Sequence, residues 1–128
     1  MENNFSRRLL PRDEVKLAPD ALDLGVRIPW YRSLPLSVVE VGELTIDGEP
    51  VTAADIRFAL NGKEFALGEL ESLTSEFWYV LDSARLRVCR GLDPKRKHSI
   101  ALTLNLYPPY IPGLTWVTRG STDIEAQL

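Results

Sequence analysis

The sequence predicts an all-β fold, an antiparallel β-sandwich carrying at most a short helical turn. Three observations lead there. Apolar and polar residues alternate in short runs, turn residues close the runs at intervals of roughly 8–12 residues, and no window sustains a helical period. A small closed barrel is the alternative architecture for the same pattern.

Leu22, Leu24, Val26 and Ile28 share one parity, with Asp23, Gly25 and Arg27 between them. Pro29 ends this first strand, because proline has no N–H to give a ladder. Val38 to Ile46 reads as the second strand, and Asp47-Gly48 supplies the positive φ of a tight hairpin. Ile56, Phe58 and Leu60 alternate with Arg57, Ala59 and Asn61, after which Asn61-Gly62 repeats the hairpin signal and Phe65 and Leu67 return. Leu70 and Leu73, three apart, suggest one helical turn over Glu69 to Leu73. From Ala84 to Arg90, Leu86 and Val88 oppose Arg85 and Arg87, and Gly91 stops the run. "HSIALTLNL" is the clearest strand: Ile100, Leu102, Leu104 and Leu106 line one face, with Ser99, Ala101, Thr103 and Asn105 on the other.

The 128 residues are 45% hydrophobic and 26% charged, enough for one domain with its own core and too apolar for a disordered chain. The expected division is an N-terminal arm over 1–21, a sandwich over 22–118 and a tail over 119–128. The arm mixes Phe5, Leu9 and Leu10 with charge, which suits a segment that folds on contact. A net charge of −3, with Lys and Arg scattered among acids, argues against nucleic acid as a partner. No apolar run approaches the roughly 18–20 residues that span a bilayer. Cys89 is the only cysteine, so an internal disulfide is impossible and a reducing, cytoplasmic setting is expected, with Cys89 half-buried on a strand.

Catalytic chemistry is poorly provided for. His98 is the only histidine and sits in "KRKHS", where a solvated turn residue is the plain reading. Glu40, Glu43, Glu69, Glu71 and Glu76 are carboxylates whose ordinary place is a solvated face. A small enzyme using His98 with Glu69 or Glu76 is the weakest reading. The chain lacks the nucleophile-elbow, phosphate-loop and dinucleotide glycine patterns. No catalytic residue, cofactor site or metal site is assigned to it.

The aromatic and proline clusters are more informative. "PWYRSLP" brackets Trp30, Tyr31, Arg32 and Leu34 between Pro29 and Pro35, and "LYPPYIPGLTW" sets Tyr107, Tyr110 and Trp116 among prolines. Aromatic residues beside arginine are typical interface anchors, and proline-stiffened loops lose less entropy when a partner orders them. Three consecutive side chains, Trp30, Tyr31 and Arg32, cannot all face one core. Phe77, Trp78 and Tyr79 divide evenly between core and surface readings.

"VRIPWYRSLPLSVVEVGELTIDGE", followed by "IRFALNGKEF", "EFWYVLDSARLRV" and "HSIALTLNLYPPYIPG", resembles the small β subunit of bacterial C-glycoside deglycosidases, from about Leu24 to Gly113. The resemblance implies a non-catalytic subunit paired with a larger α subunit, a TIM-barrel protein similar to sugar isomerases and epimerases. That subunit would carry a divalent metal, manganese being the expected ion, and the acid–base groups. The complex would cleave the carbon–carbon bond of a 3-oxo-C-glycoside of a flavonoid or related polyphenol by enolate-type elimination, a lyase reaction, and the isolated chain would be inactive. The expected partner interface comprises Trp30, Tyr31, Arg32, Leu34 and Pro35 on the first loop and Tyr107, Tyr110 and Ile111 on the second. A stand-alone carbohydrate-binding sandwich module is the alternative function.

Overall fold

A computed structural model describes residues 5–18 and 20–126. Eleven strands follow in chain order: β1 Val15–Ala18, β2 Ala21–Arg27, β3 Leu34–Pro35, β4 Val39–Ile46, β5 Glu49–Pro50, β6 Ile56–Leu60, β7 Lys63–Ala66, β8 Phe77–Trp78, β9 Ser83–Val88, β10 His98–Leu106 and β11 Trp116–Ile124. One sheet has the order β1-β2-β9-β6-β7, a second β11-β10-β4-β5, and β3 and β8 pair as a short ribbon. All pairings are antiparallel. The chain is an all-β sandwich, as its alternation predicts.

The core lies between the two large sheets. Leu22, Leu24 and Val26 of β2, Ala84, Leu86 and Val88 of β9, and Ile56, Phe58 and Leu60 of β6 are buried on one side. Ile100, Leu102, Leu104 and Leu106 of β10, with Val39, Leu44 and Ile46 of β4, are buried on the other. Period-two alternation puts each of these sets on a single face of its strand. Full burial of each such side chain stabilises by about 1.5–3 kcal/mol, offset by chain entropy.

Both expected hairpins form. Asp47 and Gly48 have φ of 52° and 82°, and Asn61 and Gly62 have 54° and 75°. Two successive positive φ values make the type I′ turn whose twist matches flanking strands. The expected helical turn is a 3-10 segment over Leu67–Ser72, started by the Glu69 carboxylate accepting from the Ala66 N–H at 2.8 Å. Leu70 is its buried residue.

The expected boundaries need correction at both ends. Residues 116–124 form β11, paired with β10 along its whole length, so a tail beginning at 119 would cut a strand in two. Its inward positions are Thr118, Gly120, Thr122 and Ile124, too polar or small to show alternation in sequence. The described part of the N-terminal segment is likewise integral, residues 1–4 and 19 of the expected arm lying outside the described residues. β1 pairs with β2 from Val15↔Leu24 to Ala18↔Ala21, and Leu9 and Leu10 are buried. The Leu9 carbonyl accepts from the Arg27 N–H at 3.0 Å, while the Leu9 side chain lies against Gly120. Leu9 therefore bridges β2 and β11, one from each large sheet.

Two single residues also depart from expectation. His98 is buried, because Asp47 and Asp93 offer it hydrogen bonds that no sequence neighbour could. Cys89 is exposed, one residue past the end of β9, where the alternation turns its side chain outward.

Candidate partner interface

After Pro29 the chain leaves the five-stranded sheet and bends around Trp30 into β3. Trp30 turns inward and is only 5% exposed. Its ring meets Trp116 edge-on at 5.3 Å between centroids and Tyr31 at 4.8 Å, and Phe5 closes on the far side of Trp116 at 6.4 Å. Edge-to-face and tilted contacts at these separations are favourable for the ring quadrupoles. The Trp30 Nε1–H donates to the Tyr110 hydroxyl. That bond satisfies a buried donor and joins the two proline-rich loops across 80 residues of sequence.

Tyr31 and Arg32 point the other way, into solvent, and Tyr110 stands beside them. Tyr31 is 59% and Tyr110 46% exposed. The Arg32 guanidinium carbon lies 5.7 Å from the Tyr31 ring centroid and 5.5 Å from that of Tyr110, so the cation is held between two π faces. Ile111, adjacent to Tyr110, is also exposed. The 107–115 loop is shaped by two turns, Ile111 N–H to Pro108 carbonyl at 3.1 Å and Leu114 N–H to Ile111 carbonyl at 3.3 Å, with Gly113 at φ 80°.

A second exposed apolar strip adjoins this bend. β3 pairs with β8 through Leu34↔Trp78 and Pro35↔Phe77, and the Ser33 hydroxyl accepts from the Val80 N–H at 2.8 Å. Trp78 is fully buried, edge-on to Phe58 at 5.7 Å, and its Nε1–H donates to the Asp82 carbonyl at 2.9 Å. Phe77, Tyr79 and Leu81 alternate with it and are exposed, Leu81 at 80%. Phe77 and Tyr79 stack at 6.5 Å. Patches of exposed aromatic and apolar side chains of this kind mark contact surfaces more often than single exposed residues do.

The expected interface residues are thus sorted. Tyr31, Arg32 and Tyr110 are brought together on the surface, with Ile111 beside them. Trp30 and Leu34, expected as contacts, are buried at 5% and 1% and serve the core instead. Strand alternation continues through the bend, so Leu34 faces inward opposite Trp78. Pro35 is half-buried. Tyr107 is engaged elsewhere: its hydroxyl donates to Glu40 Oε1 at 2.9 Å, the atom that also accepts from Asn105 Nδ2 at 2.9 Å. The bond to the Glu40 carboxylate raises the Tyr107 pKa above the ordinary phenol value, because it favours the protonated form. Of Phe77, Trp78 and Tyr79, which divide evenly between core and surface in the sequence, Trp78 goes to the core and the other two to the surface. Leu81 continues their strip, and its period-two spacing on the face opposite Trp78 is the signal that marks it.

Elsewhere several charged side chains are paired. On the outer face of the five-stranded sheet Arg85 pairs with Asp23 at 2.6 Å and Arg87 with Glu64 at 2.8 Å. Among the described residues no group of three or more His, Cys, Asp or Glu side chains converges as a metal site would require. Also among them, no helix is long and apolar enough to cross a membrane.

A family model described as the C-glycoside deglycosidase beta subunit matches residues 18–110, which contain every interface residue but Ile111. The chain belongs to that family. It is similar to the 3'-dehydrocarminate deglycosidase beta subunit of a Microbacterium species, 34% identical over 108 residues, covering 84% of this chain and 82% of that one. It is also similar to the C-glycoside deglycosidase beta subunit of Microbacterium trichothecenolyticum, 42% identical over 86 residues, which cover 67% of this chain and 66% of the relative. A third relative, a C-glycoside deglycosidase beta subunit of Arthrobacter globiformis, is 39% identical over 87 residues, with coverages of 67% and 66%. The deglycosidase beta-subunit family is the one the sequence resembles, and a subunit implies a partner.

Proposed function

We propose that this chain is the non-catalytic β subunit of a C-glycoside deglycosidase whose larger α subunit is a TIM-barrel protein similar to sugar isomerases. The joined surface of Tyr31, Arg32 and Tyr110 carries the proposal, because it gives the family's subunit role a preformed place to dock. Tyrosine and arginine in a stiff, water-exposed patch are the residue types that dominate interface energies. The exposed single thiol of Cys89 suits a reducing, cytoplasmic setting.

The chemistry assigned to the complex is cleavage of the bond between C1 of the sugar and a carbon of the aromatic aglycone. A ketone at C3 acidifies the proton on C2, and a base removes it. The electron pair then expels the aglycone carbon from C1, and a proton is delivered to that carbon. Elimination of this kind is a lyase reaction and differs from hydrolysis between two carboxylates. A divalent metal, manganese in our reading, would stabilise negative charge on the ketone oxygen from the α subunit. The β chain contributes shape to the assembly.

Co-expression with a TIM-barrel, isomerase-like candidate for the α subunit tests the proposal. A stable complex that cleaves a 3-oxo-C-glucoside, with the metal recovered on the larger subunit and no turnover by the β chain alone, is the expected result. Turnover by the isolated chain, or metal bound to it, would overturn it.

A carbohydrate-binding module is the second reading, favoured by one observation. Tyr107, Glu40 and Glu71 line a groove of about 370 Å³ whose polar groups could meet sugar hydroxyls. Saturable binding of free glucosides by the isolated chain, without a partner, would support it.

A further inference from the structure

We propose that Arg32 is a prepared receptor for a carboxylate, and that its occupant is an aspartate or glutamate side chain of the partner subunit. The proposal rests on the docking reading above and adds the chemistry of the contact at its centre.

Arg32 is exposed at the tip of the bend, and among the described residues no carboxylate lies within ion-pair distance of it. The arginines of the sheet face differ: Arg57, Arg85 and Arg87 each have an acidic partner. Arg32 is nevertheless not a loose surface cation. The rings of Tyr31 and Tyr110 lie at 5.7 and 5.5 Å from its guanidinium carbon. Those rings are themselves fixed, Tyr31 against the buried Trp30 and Tyr110 through the Trp30 Nε1–H.

A guanidinium is weakly hydrated and presents a planar fork of N–H donors that matches a carboxylate with two parallel bonds. Contact with the two rings satisfies its charge in part but uses none of those donors. The result is a positioned, hydrogen-bond-hungry cation on a chain of net charge −3. Its flanks are aromatic, so a docked partner would exclude water around the pair and strengthen it. Bringing an acidic side chain here costs little rearrangement, because the fork is already held.

The test is the affinity of the full-length chain for the isomerase-like α subunit, measured at about 50 and about 500 mM NaCl, ionic strengths that separate screened from unscreened charge pairs. For Arg32→Gln the expected result is a Kd raised about thirtyfold or more, the loss typical of truncating one member of a desolvated charge pair. The salt dependence should fall with it. Arg32→Lys should recover only part of the loss, since it keeps the charge without the fork. In the Arg32→Glu background, one Asp→Arg or Glu→Arg substitution on the α subunit should restore binding.

If Tyr31→Ala and Tyr110→Ala weaken the complex while Arg32→Gln leaves Kd and its salt dependence unchanged, docking stands and the carboxylate contact falls. If Arg32→Gln instead raises only the KM for the substrate, the anion it meets is not on the partner, and the proposal fails. If none of the three substitutions changes Kd, the docking reading fails and takes this one with it. Thermal unfolding of each variant confirms that the exposed substitutions leave the sandwich folded.

Discussion

His98 Nδ1 lies 2.7 Å from a carboxylate oxygen of Asp47, and His98 Nε2 lies 2.7 Å from the carbonyl oxygen of Asp93. Both partners only accept hydrogen bonds, so the ring satisfies both only when both nitrogens carry protons. The Asp47 bond accordingly raises the His98 pKa above its ordinary value, with the Asp93 carbonyl acting the same way and burial and Arg96 opposing. In return, the His98 bond first, then the Ser99 N–H, lower the Asp47 pKa.

A pH dependence follows, and its sign is fixed by the two directions. A raised histidine pKa contributes stability that is complete below the ordinary value of 6.5 and disappears as pH rises through the folded-state value. A lowered aspartate pKa contributes stability present above 3.8 and lost as pH falls through the folded-state value. The Tm should therefore be highest between these limits and decline toward alkaline pH, and thermal unfolding of His98→Gln should remove most of that alkaline decline. Loss of the buried imidazole and its two hydrogen bonds should cost about 1–3 kcal/mol near pH 6, measured by denaturant unfolding.

Trp30 separates folding from docking. Trp30→Ala removes a buried indole and should destabilise the chain by about 3–5 kcal/mol in urea unfolding. Trp30→Phe keeps most of the volume but deletes the donor to Tyr110, for a cost of about 1 kcal/mol. The second variant should remain folded yet bind the α subunit more weakly, because Tyr110 is no longer held in place.

Gly120 is required by close approach. A Cβ there would lie 2.9 Å from Leu9 Cβ and 2.9 Å from the Ser6 carbonyl oxygen, distances that real Cβ atoms do not tolerate. Gly120→Ala should cost about 1–3 kcal/mol, the range for overpacking, by forcing the N-terminal segment off β11. Limited proteolysis should then cut near residues 6–10 earlier than in the parent chain.

The Asn61-Gly62 turn has two tasks. Besides its positive φ, Asn61 donates through Nδ2 to Glu76 Oε2 at 2.8 Å and to the Phe77 carbonyl at 3.0 Å, and Lys63 pairs with Glu76 at 2.8 Å. Asn61→Gly keeps the turn and loses the tether, so it should leave the Tm within a few degrees, since lost surface bonds cost about 1 kcal/mol. Gly62→Ala places a Cβ at φ 75° and should cost about 1–2 kcal/mol in chemical unfolding.

The strands with large aliphatic inward residues were legible from sequence, and β10 is the plainest case: its buried set of Ile100, Leu102, Leu104 and Leu106 is written in every second letter. β11 was not legible, because Leu9 occupies the space its inward side chains would otherwise fill, leaving Gly120 flanked by threonines. For the candidate interface, the two loops expected from sequence do lie side by side, but Trp30, expected outward, turns inward. Three consecutive side chains must diverge, but which one turns inward is decided by Trp116 and Tyr110, far along the chain. His98 escaped for the same reason, its carboxylate partner being 51 residues away.

Leu9, wedged between β2 and β11, has a practical consequence for anyone shortening this protein. A fragment cut at residues 22 and 118 would retain the visible alternation yet lose most of β11 and the plug that seals the lateral seam of the two layers. Its aliphatic interior would open along one flank, and such a fragment should precipitate or dimerise through that gap. The cooperative unit is almost the entire described polypeptide.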